Sequence, residues 1–162
     1  MSKNQAKFDI DAKEVIRMLG NLDSKLRKKA YRDGIRKSLV IVRKAAISRL
    51  RSVVGKGASR RKDNYGKTLE SGIRYKVYKD ASGGNVNILG NYKLKFFEIG
   101  TKDRYNRRKK TTGKWLKKHR YVGHIKATHF FQQATDSKEK EVFNTLEKNI
   151  ADAIRKINNK QL

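Results

Sequence analysis

The strongest constraint on the fold is a long periodic run of apolar residues in the first third of the chain. Its members recur every three or four positions: Tyr31, Ile35, Leu39, Val42, Ala46, Leu50 and Val53. This spacing places all of them on one face of an α-helix. A start signal at Asp23 or Ser24 and a stop at Gly55 predict a helix over about residues 24–54.

The charge balance limits what this helix can pack against. The 162 residues include 42 Lys and Arg against 15 Asp and Glu, a formal net charge of +27. Self-repulsion on this scale opposes compaction, so we expect a polyanion or an ordered assembly in the working state. The length fits a single domain over residues 1–162, with a thin core.

Composition also excludes several classes of protein. The chain has no cysteine, which rules out disulfides and thiolate metal sites. No run approaches the length of a membrane span, and the first residues lack the apolar stretch of a signal peptide. We therefore expect no membrane partner and synthesis in a cytoplasm.

Two further segments flank the predicted long helix. Before it, Asp11 and Glu14 have the spacing of a capping box, and an apolar stripe from Val15 to Leu22 follows, which predicts a short N-terminal helix over 11–20. After it, residues 55–67 are rich in glycine and basic side chains without apolar periodicity. They predict a mobile basic loop.

The apolar period then changes from that of a helix to that of a strand. Ile73, Tyr75 and Val77 alternate with polar neighbours, residues 80–84 supply turn residues, and a second alternation follows around Val86. This pattern predicts a β-hairpin within about residues 68–100. Residues 92–99 fit either a third short strand or a helical turn that Gly100 ends.

The last third of the chain has a basic segment and then a helical pattern. Residues 102–120 are dense in Lys and Arg with one acid, so we predict a solvated basic excursion over 102–124, ordered on binding. From Thr128 the helical period returns, and it predicts a C-terminal helix over about 128–158.

Together these elements predict an α+β fold. We expect a small antiparallel β-sheet of about three to four strands, packed by two long helices, with a short N-terminal helix. So small a sheet cannot bury both helices fully. We therefore expect apolar surface left over for a neighbouring molecule.

Residues that could carry catalysis or bind metal are poorly grouped. His119, His124 and His129 recur at intervals of five, which places them on neither one helix face nor one strand face. The acids of the C-terminal helix are interpreted as a solvated helix face: Asp136, Glu139, Glu141 and Glu147. We predict no catalytic residues, no cofactor and no metal, so the chain is not expected to be an enzyme. An enzyme acting on nucleic acid, with Glu98 and His124 in its site, is the remaining catalytic alternative.

The basic segments are the least ordinary feature of the sequence. Aromatic residues are interleaved with them at Tyr65, Tyr105, Trp115 and Tyr121. Cations neutralise phosphates and aromatic rings stack on bases or sugars, although the rings can equally dock the segments on the core. The candidate contacts to DNA or to an acidic partner are Arg60, Arg61, Lys62, Arg104, Arg107, Arg108, Lys109, Lys110, Lys117 and Lys118.

Three stretches, in order, resemble the head-tail joining or tail-completion (neck) proteins of long-tailed bacteriophages and prophages. They are Gly66-Lys-Thr-Leu-Glu-Ser-Gly-Ile73, Tyr92-Lys-Leu-Lys-Phe-Phe-Glu-Ile-Gly-Thr101 and Ile125-Lys-Ala-Thr-His-Phe-Phe-Gln-Gln-Ala134. With the long helices the resemblance covers roughly residues 10–158. The chain departs from the family in lacking prolines and in its long basic insertion after Thr101.

The resemblance implies structural roles for the motif residues. A carboxylate at Glu98 suits a turn in which it accepts backbone or Ser/Thr donors, and the Phe130–Phe131 pair suits a helix start anchored in the core. The motif residues expected to be structural are Leu69, Ser71, Ile73, Phe97, Glu98, Gly100, Thr101, Phe130, Phe131 and Ala134.

The resemblance also implies a function. It predicts a non-enzymatic structural protein of the neck that acts in head-tail joining or tail completion as an oligomeric ring around or near the DNA channel. The expected partners are further copies of itself, other phage neck and tail proteins, and, as a candidate, double-stranded DNA in the lumen. The expected location is the host cytoplasm during assembly and the virion neck afterwards. The alternative is a free, sequence-nonspecific nucleic-acid-binding protein.

Overall fold

The computed structural model describes residues 7–11, 24–108, 112 and 115–158. Side chains are not described at 7–11, 24–27, 107–108, 116–118, 154 and 157–158. In chain order the elements are β1 (Lys7–Asp11), α1 (Ser24–Val54), α2 (Lys56–Arg60), a 3₁₀ turn (Glu70–Gly72), β2 (Arg74–Val77), β3 (Gly83–Asn87), α3 (Lys93–Ile99), β4 (Tyr105–Arg108), β5 (Trp115–Tyr121) and α4 (Phe130–Asn158).

The strands form two separate antiparallel sheets. The first has the order β1-β3-β2, with Val86 of the central strand opposite Phe8 on one side and Tyr75 on the other. The second pairs β4 with β5 and has Tyr105 opposite Tyr121. Helices and a small antiparallel sheet make an α+β fold, which confirms the predicted class.

The predicted apolar stripe of α1 forms the centre of the core. Tyr31, Ile35, Leu39, Val42, Ala46 and Leu50 are all buried, whereas Val53, in the last turn, is exposed. The helix begins at Ser24 and ends at Val54, as its sequence predicts. One face of α1 contacts β2 and β3, so this helix lies directly on the first sheet.

The second long helix packs along α1 in the antiparallel direction. Gly34 lies against Leu146 and Ile150 of α4. Four residues later, the Ser38 hydroxyl donates to the Val142 carbonyl at 3.3 Å. A Cβ at Gly34 would lie in ordinary van der Waals contact with the Leu146 and Ile150 side chains, at 3.5 Å. Burial of both apolar stripes supplies the main hydrophobic stabilisation of this helix pair.

The turn between β2 and β3 is tighter than the sequence suggests. The turn is closed by the Tyr78 N–H, which donates to the Gly83 carbonyl at 2.9 Å. Gly83 and Gly84, predicted as part of the turn, belong instead to β3. A Cβ on Gly84 would lie 2.6 Å from a Leu39 methyl and 2.7 Å from the Lys76 carbonyl oxygen. This glycine is therefore required by the close approach of β3 to α1.

Three segments differ from their predicted form or resolve an open alternative, and a fourth lies almost entirely outside the described residues. Residues 92–99 form the helical alternative, as α3, which Gly100 ends. The predicted basic loop at 55–67 contains the short helix α2. The basic excursion contains the β4–β5 hairpin, because cross-strand hydrogen bonds pair its backbone without a core. The predicted N-terminal helix lies outside the described residues except Asp11, which ends β1.

Within the described part of the chain, every helix is too short or too polar to cross a membrane.

Candidate functional site

The second and third resembling stretches meet at the start of α4. Glu98, near the end of α3, is 5% exposed. The backbone N–H groups of Phe131 and Gln132 donate to its two carboxylate oxygens, at 2.8 and 3.2 Å. The carboxylate thereby satisfies amides that a helix start leaves without partners, and its charge suits the positive end of the helix dipole.

Further hydrogen bonds join the two stretches on both sides of Glu98. The Thr128 N–H and hydroxyl both donate to the Phe97 carbonyl, at 2.9 and 2.7 Å. The Ile125 N–H donates to the Thr101 hydroxyl, and the Thr101 N–H donates to the Ile125 carbonyl, both at 2.9 Å. The two motifs are therefore parts of one structural unit.

Gly100 allows this close contact. Its φ is +76°, in the region that favours glycine. A Cβ there would lie 2.9 Å from both the Ala127 nitrogen and the Ile125 carbonyl oxygen. Beyond this contact, Phe130, Phe131 and Ala134 are buried and anchor α4 in the core. The motif residues in this unit therefore have structural settings.

The first resembling stretch has a comparable structural setting. The Ser71 hydroxyl donates to the Thr68 carbonyl at 2.8 Å, and the Ser71 N–H donates to the Thr68 hydroxyl at 3.0 Å. Ile73 is fully buried, and its carbonyl accepts a hydrogen bond from the Arg43 guanidinium at 2.9 Å. Leu69 is partly buried against the core. This stretch fixes the entry into β2.

Glu70 links the end of α1 to α2. The Arg51 guanidinium donates to both carboxylate oxygens at 2.8 Å, and the buried Ser59 hydroxyl donates at 2.7 Å. Arg60 Nε lies 3.6 Å from the same group. The Arg51 guanidinium, with Ser59 and Arg60, lowers the pKa of Glu70 to about 2 although partial burial opposes the shift.

An open groove of about 650 Å³ lies between α3 and the loop that follows α2, and we call it the basic groove. Its cationic lining is Arg61, Lys62, Lys67, Lys93 and Arg104. Its aromatic lining is Tyr65, Tyr92, Phe96 and Phe97. Tyr65 and Tyr92 are 85% and 68% exposed, so both rings are accessible to a ligand or a partner.

Asp63 shapes the basic groove without cancelling its charge. Its carboxylate accepts the backbone N–H groups of Tyr65 and Lys67, both at 2.9 Å, and lies 3.9 Å from Lys93 Nζ. The Lys67 amide lowers the pKa of Asp63. Asp63 is the one acid among the described lining residues, so the groove has a net positive charge.

The β4–β5 hairpin carries a second group of polar and aromatic side chains. The Tyr105 and Tyr121 rings lie 5.4 Å apart across the strands. The Tyr121 hydroxyl lies 3.2 Å from Asp103 and 3.3 Å from His124 Nδ1, and the last two groups are 3.5 Å apart. Desolvation and the Asp103 carboxylate raise the pKa of Tyr121. These aromatics thus pair with each other at the base of the hairpin.

The predicted basic contacts have different locations in the structure. Arg61, Lys62 and Arg104 come together in the basic groove, whereas Arg60 is directed toward Glu70. Arg107, Arg108, Lys117 and Lys118 lie in β4 and β5, but their side chains are outside the described ones. Lys109 and Lys110 lie outside the described residues altogether.

Sequence reasoning missed part of the groove. Lys93, Tyr92 and Phe96 belong to the second resembling stretch, where alternation of apolar and basic residues fits a strand and a helix equally well. Residues four apart share a face in a strand as well, but only the helical form brings Tyr92 and Phe96 into contact, with their rings edge to face at 6.0 Å. That spacing was the signal available for finding them.

The polar residues considered for catalysis are not grouped into a metal site. Among the described residues, no three His, Cys, Asp or Glu side chains come close enough to hold a metal ion. On α4, Lys138 pairs with Glu141 at 2.6 Å, an ion pair on the surface of the helix. Comparison of the chain with protein-family models, with curated proteins and with solved structures gives no match.

Proposed function

We propose that this chain is a non-enzymatic structural protein of a bacteriophage or prophage neck, which acts in head-tail joining or tail completion as an oligomeric ring. The observation that carries the proposal is the joining of the second and third resembling stretches, of which the second is the most specific of the three. Glu98 of one stretch caps the helix that the other begins. Motif residues that contact each other in the structure support the resemblance more strongly than matching residues at unconnected places would.

The surface of the chain supports an assembly role. Leu89, Tyr92, Phe96 and Ile99 are exposed around α3, as expected when a small sheet and two helices leave apolar surface uncovered. Burying this surface against a neighbour offsets part of the electrostatic self-repulsion of a chain with a net charge of +27. Basic surface on such an assembly can face DNA or acidic partner proteins.

The proposal predicts discrete oligomers in solution. Light scattering across a range of protein concentrations, with and without short duplex DNA, measures the mass directly. We expect species at whole multiples of 18.7 kDa in the absence of DNA. A chain that stays monomeric at every concentration, even with purified partner rings, would contradict the proposal.

The basic groove favours a second candidate, a sequence-nonspecific nucleic-acid-binding protein. Cations beside accessible aromatic rings are the combination that binds phosphates and stacks on bases. If the five groove cations each contact a phosphate of duplex DNA, the slope of log affinity against log salt is about −4 to −5. Nanomolar affinity with that slope, in a protein that is monomeric without DNA, would favour this candidate over the neck protein.

A further inference from the structure

We infer that, in the proposed ring, the basic groove of one subunit receives a stripe on α4 of the next subunit. This inference rests on the proposed assembly and assigns its repeating interface. The stripe consists of Asp136, Glu139, Phe143 and Glu147, and we call it the acidic stripe. Residues at this spacing share one face of a helix.

The acidic stripe has the chemistry that complements the groove. All four side chains are exposed, and Phe143 is 42% exposed between the acids. Glu139 and Glu147 have no ion-pair partner among the described residues, whereas Glu141, off the stripe, is paired with Lys138. An apolar ring flanked by unpaired carboxylates suits a groove that combines cations with aromatic rings.

Charge distribution points to a second copy as the occupant. Over residues 136–147, the segment of α4 that holds the acidic stripe, acids outnumber bases. The acids are Asp136, Glu139, Glu141 and Glu147, and the bases are Lys138 and Lys140. With a net charge of +27, most approaches between two copies are repulsive, and contact between stripe and groove is attractive.

The groove and the stripe are different surfaces, so the contact is heterologous. The groove is formed by the loop after α2 and by α3, whereas the stripe runs from about 9 to about 26 Å beyond the start of α4. No hydrogen bond or ion pair connects them among the described residues of one subunit. Head-to-tail repetition of such a contact generates a ring when the rotation closes.

The test uses two charge-reversal variants with opposite defects. The groove variant is Arg61→Glu with Lys62→Glu, and the stripe variant is Glu139→Lys with Glu147→Lys. All four side chains are exposed, so the variants leave the core intact. Controls reverse exposed charges on α1. Lys29→Glu with Arg32→Glu matches the groove variant in charge, and Asp33→Lys is a single-reversal control for the stripe variant. Circular dichroism and denaturant unfolding check that each variant folds.

Native mass spectrometry at fixed salt gives the decisive result. We expect the controls to assemble as the unmodified chain does, and each variant alone to remain at 18.7 kDa. An equimolar mixture of the two variants should assemble beyond a dimer again, because the intact groove meets the intact stripe and the reversed groove meets the reversed stripe. A chain carrying all four reversals should assemble again.

Three outcomes would overturn the inference, and they separate it from the proposed function. If both variants assemble like the unmodified chain, the interface assignment is wrong and the ring proposal stands. If the unmodified chain is monomeric throughout, the ring proposal and the interface fail together. If the groove variant loses affinity for a labelled single-stranded oligonucleotide while its assembly is unchanged, the groove binds nucleic acid and not a second copy.

Discussion

Glu98 is a buried carboxylate whose charge is stabilised by a helix start. Two backbone N–H groups of α4 donate to it, and the neighbouring Thr128 and Phe97 hold the same two segments together. Hydrogen bonds from backbone N–H groups to a carboxylate are stronger than hydrogen bonds between neutral groups. Glu98, in the second resembling stretch, thereby fixes where the C-terminal helix α4 begins.

Replacing Glu98 with glutamine tests this role. The amide side chain of the variant would present an NH₂ group to one of the two backbone donors, which leaves that donor unsatisfied. We expect Glu98→Gln to lose about 1–3 kcal/mol in the free energy of unfolding, measured by urea denaturation. The control Glu141→Gln, on the exposed surface of α4 outside the acidic stripe, should change stability by no more than about 0.5 kcal/mol. Equal effects of the two substitutions would contradict the capping role.

Glu70 makes stability depend on pH in acid. Its folded-state pKa of about 2 lies below the ordinary 4.5, so its ionised form stabilises the fold. That contribution is complete above about pH 4.5 and is lost as the pH falls toward 2. We expect Glu70→Gln to be less stable than the unmodified chain at pH 7, with the difference shrinking steadily below pH 4.5. Thermal unfolding of both proteins from pH 7 to 2 measures this, and a difference independent of pH would refute it.

Among the secondary-structure elements, the sequence predicts best the helices whose apolar residues recur at regular intervals. The stripes of α1 and α4 recur over many turns, and the structure has both helices within two residues of their predicted bounds. The start of α4 at Phe130, after a predicted start near 128, reflects capping by Glu98, which comes from a distant part of the chain. β1 has only five residues, so its alternation of Phe8 and Ile10 with charged neighbours was too short to distinguish it.

Gly84 tests how closely the first sheet approaches α1. We expect Gly84→Ala to destabilise the fold by about 1–3 kcal/mol, because the added methyl group overlaps Leu39 and the Lys76 carbonyl. The control Gly57→Ala adds a methyl group to α2 in open space, and it should be neutral or slightly stabilising. Chemical denaturation of both variants measures the effect. A neutral Gly84→Ala would mean that β3 lies farther from α1.

The basic groove could not be predicted from local sequence patterns. Charge density alone predicts Arg61, Lys62 and Arg104 as contact residues, and the structure brings these three together from two segments distant in sequence. Their convergence depends on Thr101 and Ile125, which fix where the second basic segment leaves α3 and returns. A pattern read along the chain identifies the cations, but it does not place them on one surface.

At the scale of the whole molecule, the proposed ring accounts for both the charge and the uncovered apolar surface. A net charge of +27 disfavours contact between copies except where a basic surface meets an acidic one. In the proposed ring, the basic groove of one subunit and the acidic stripe of the next form such a contact. A closed ring satisfies both surfaces in every subunit, whereas any open oligomer leaves one groove and one stripe exposed at its ends.

Electron microscopy of the purified chain, at the concentration where light scattering detects oligomers, shows whether the chain forms the proposed ring. We expect closed rings with one number of subunits and a central opening, and isolated particles of 18.7 kDa for the groove variant. Open filaments, aggregates of mixed size, or monomers at every concentration would contradict a neck ring built from this chain.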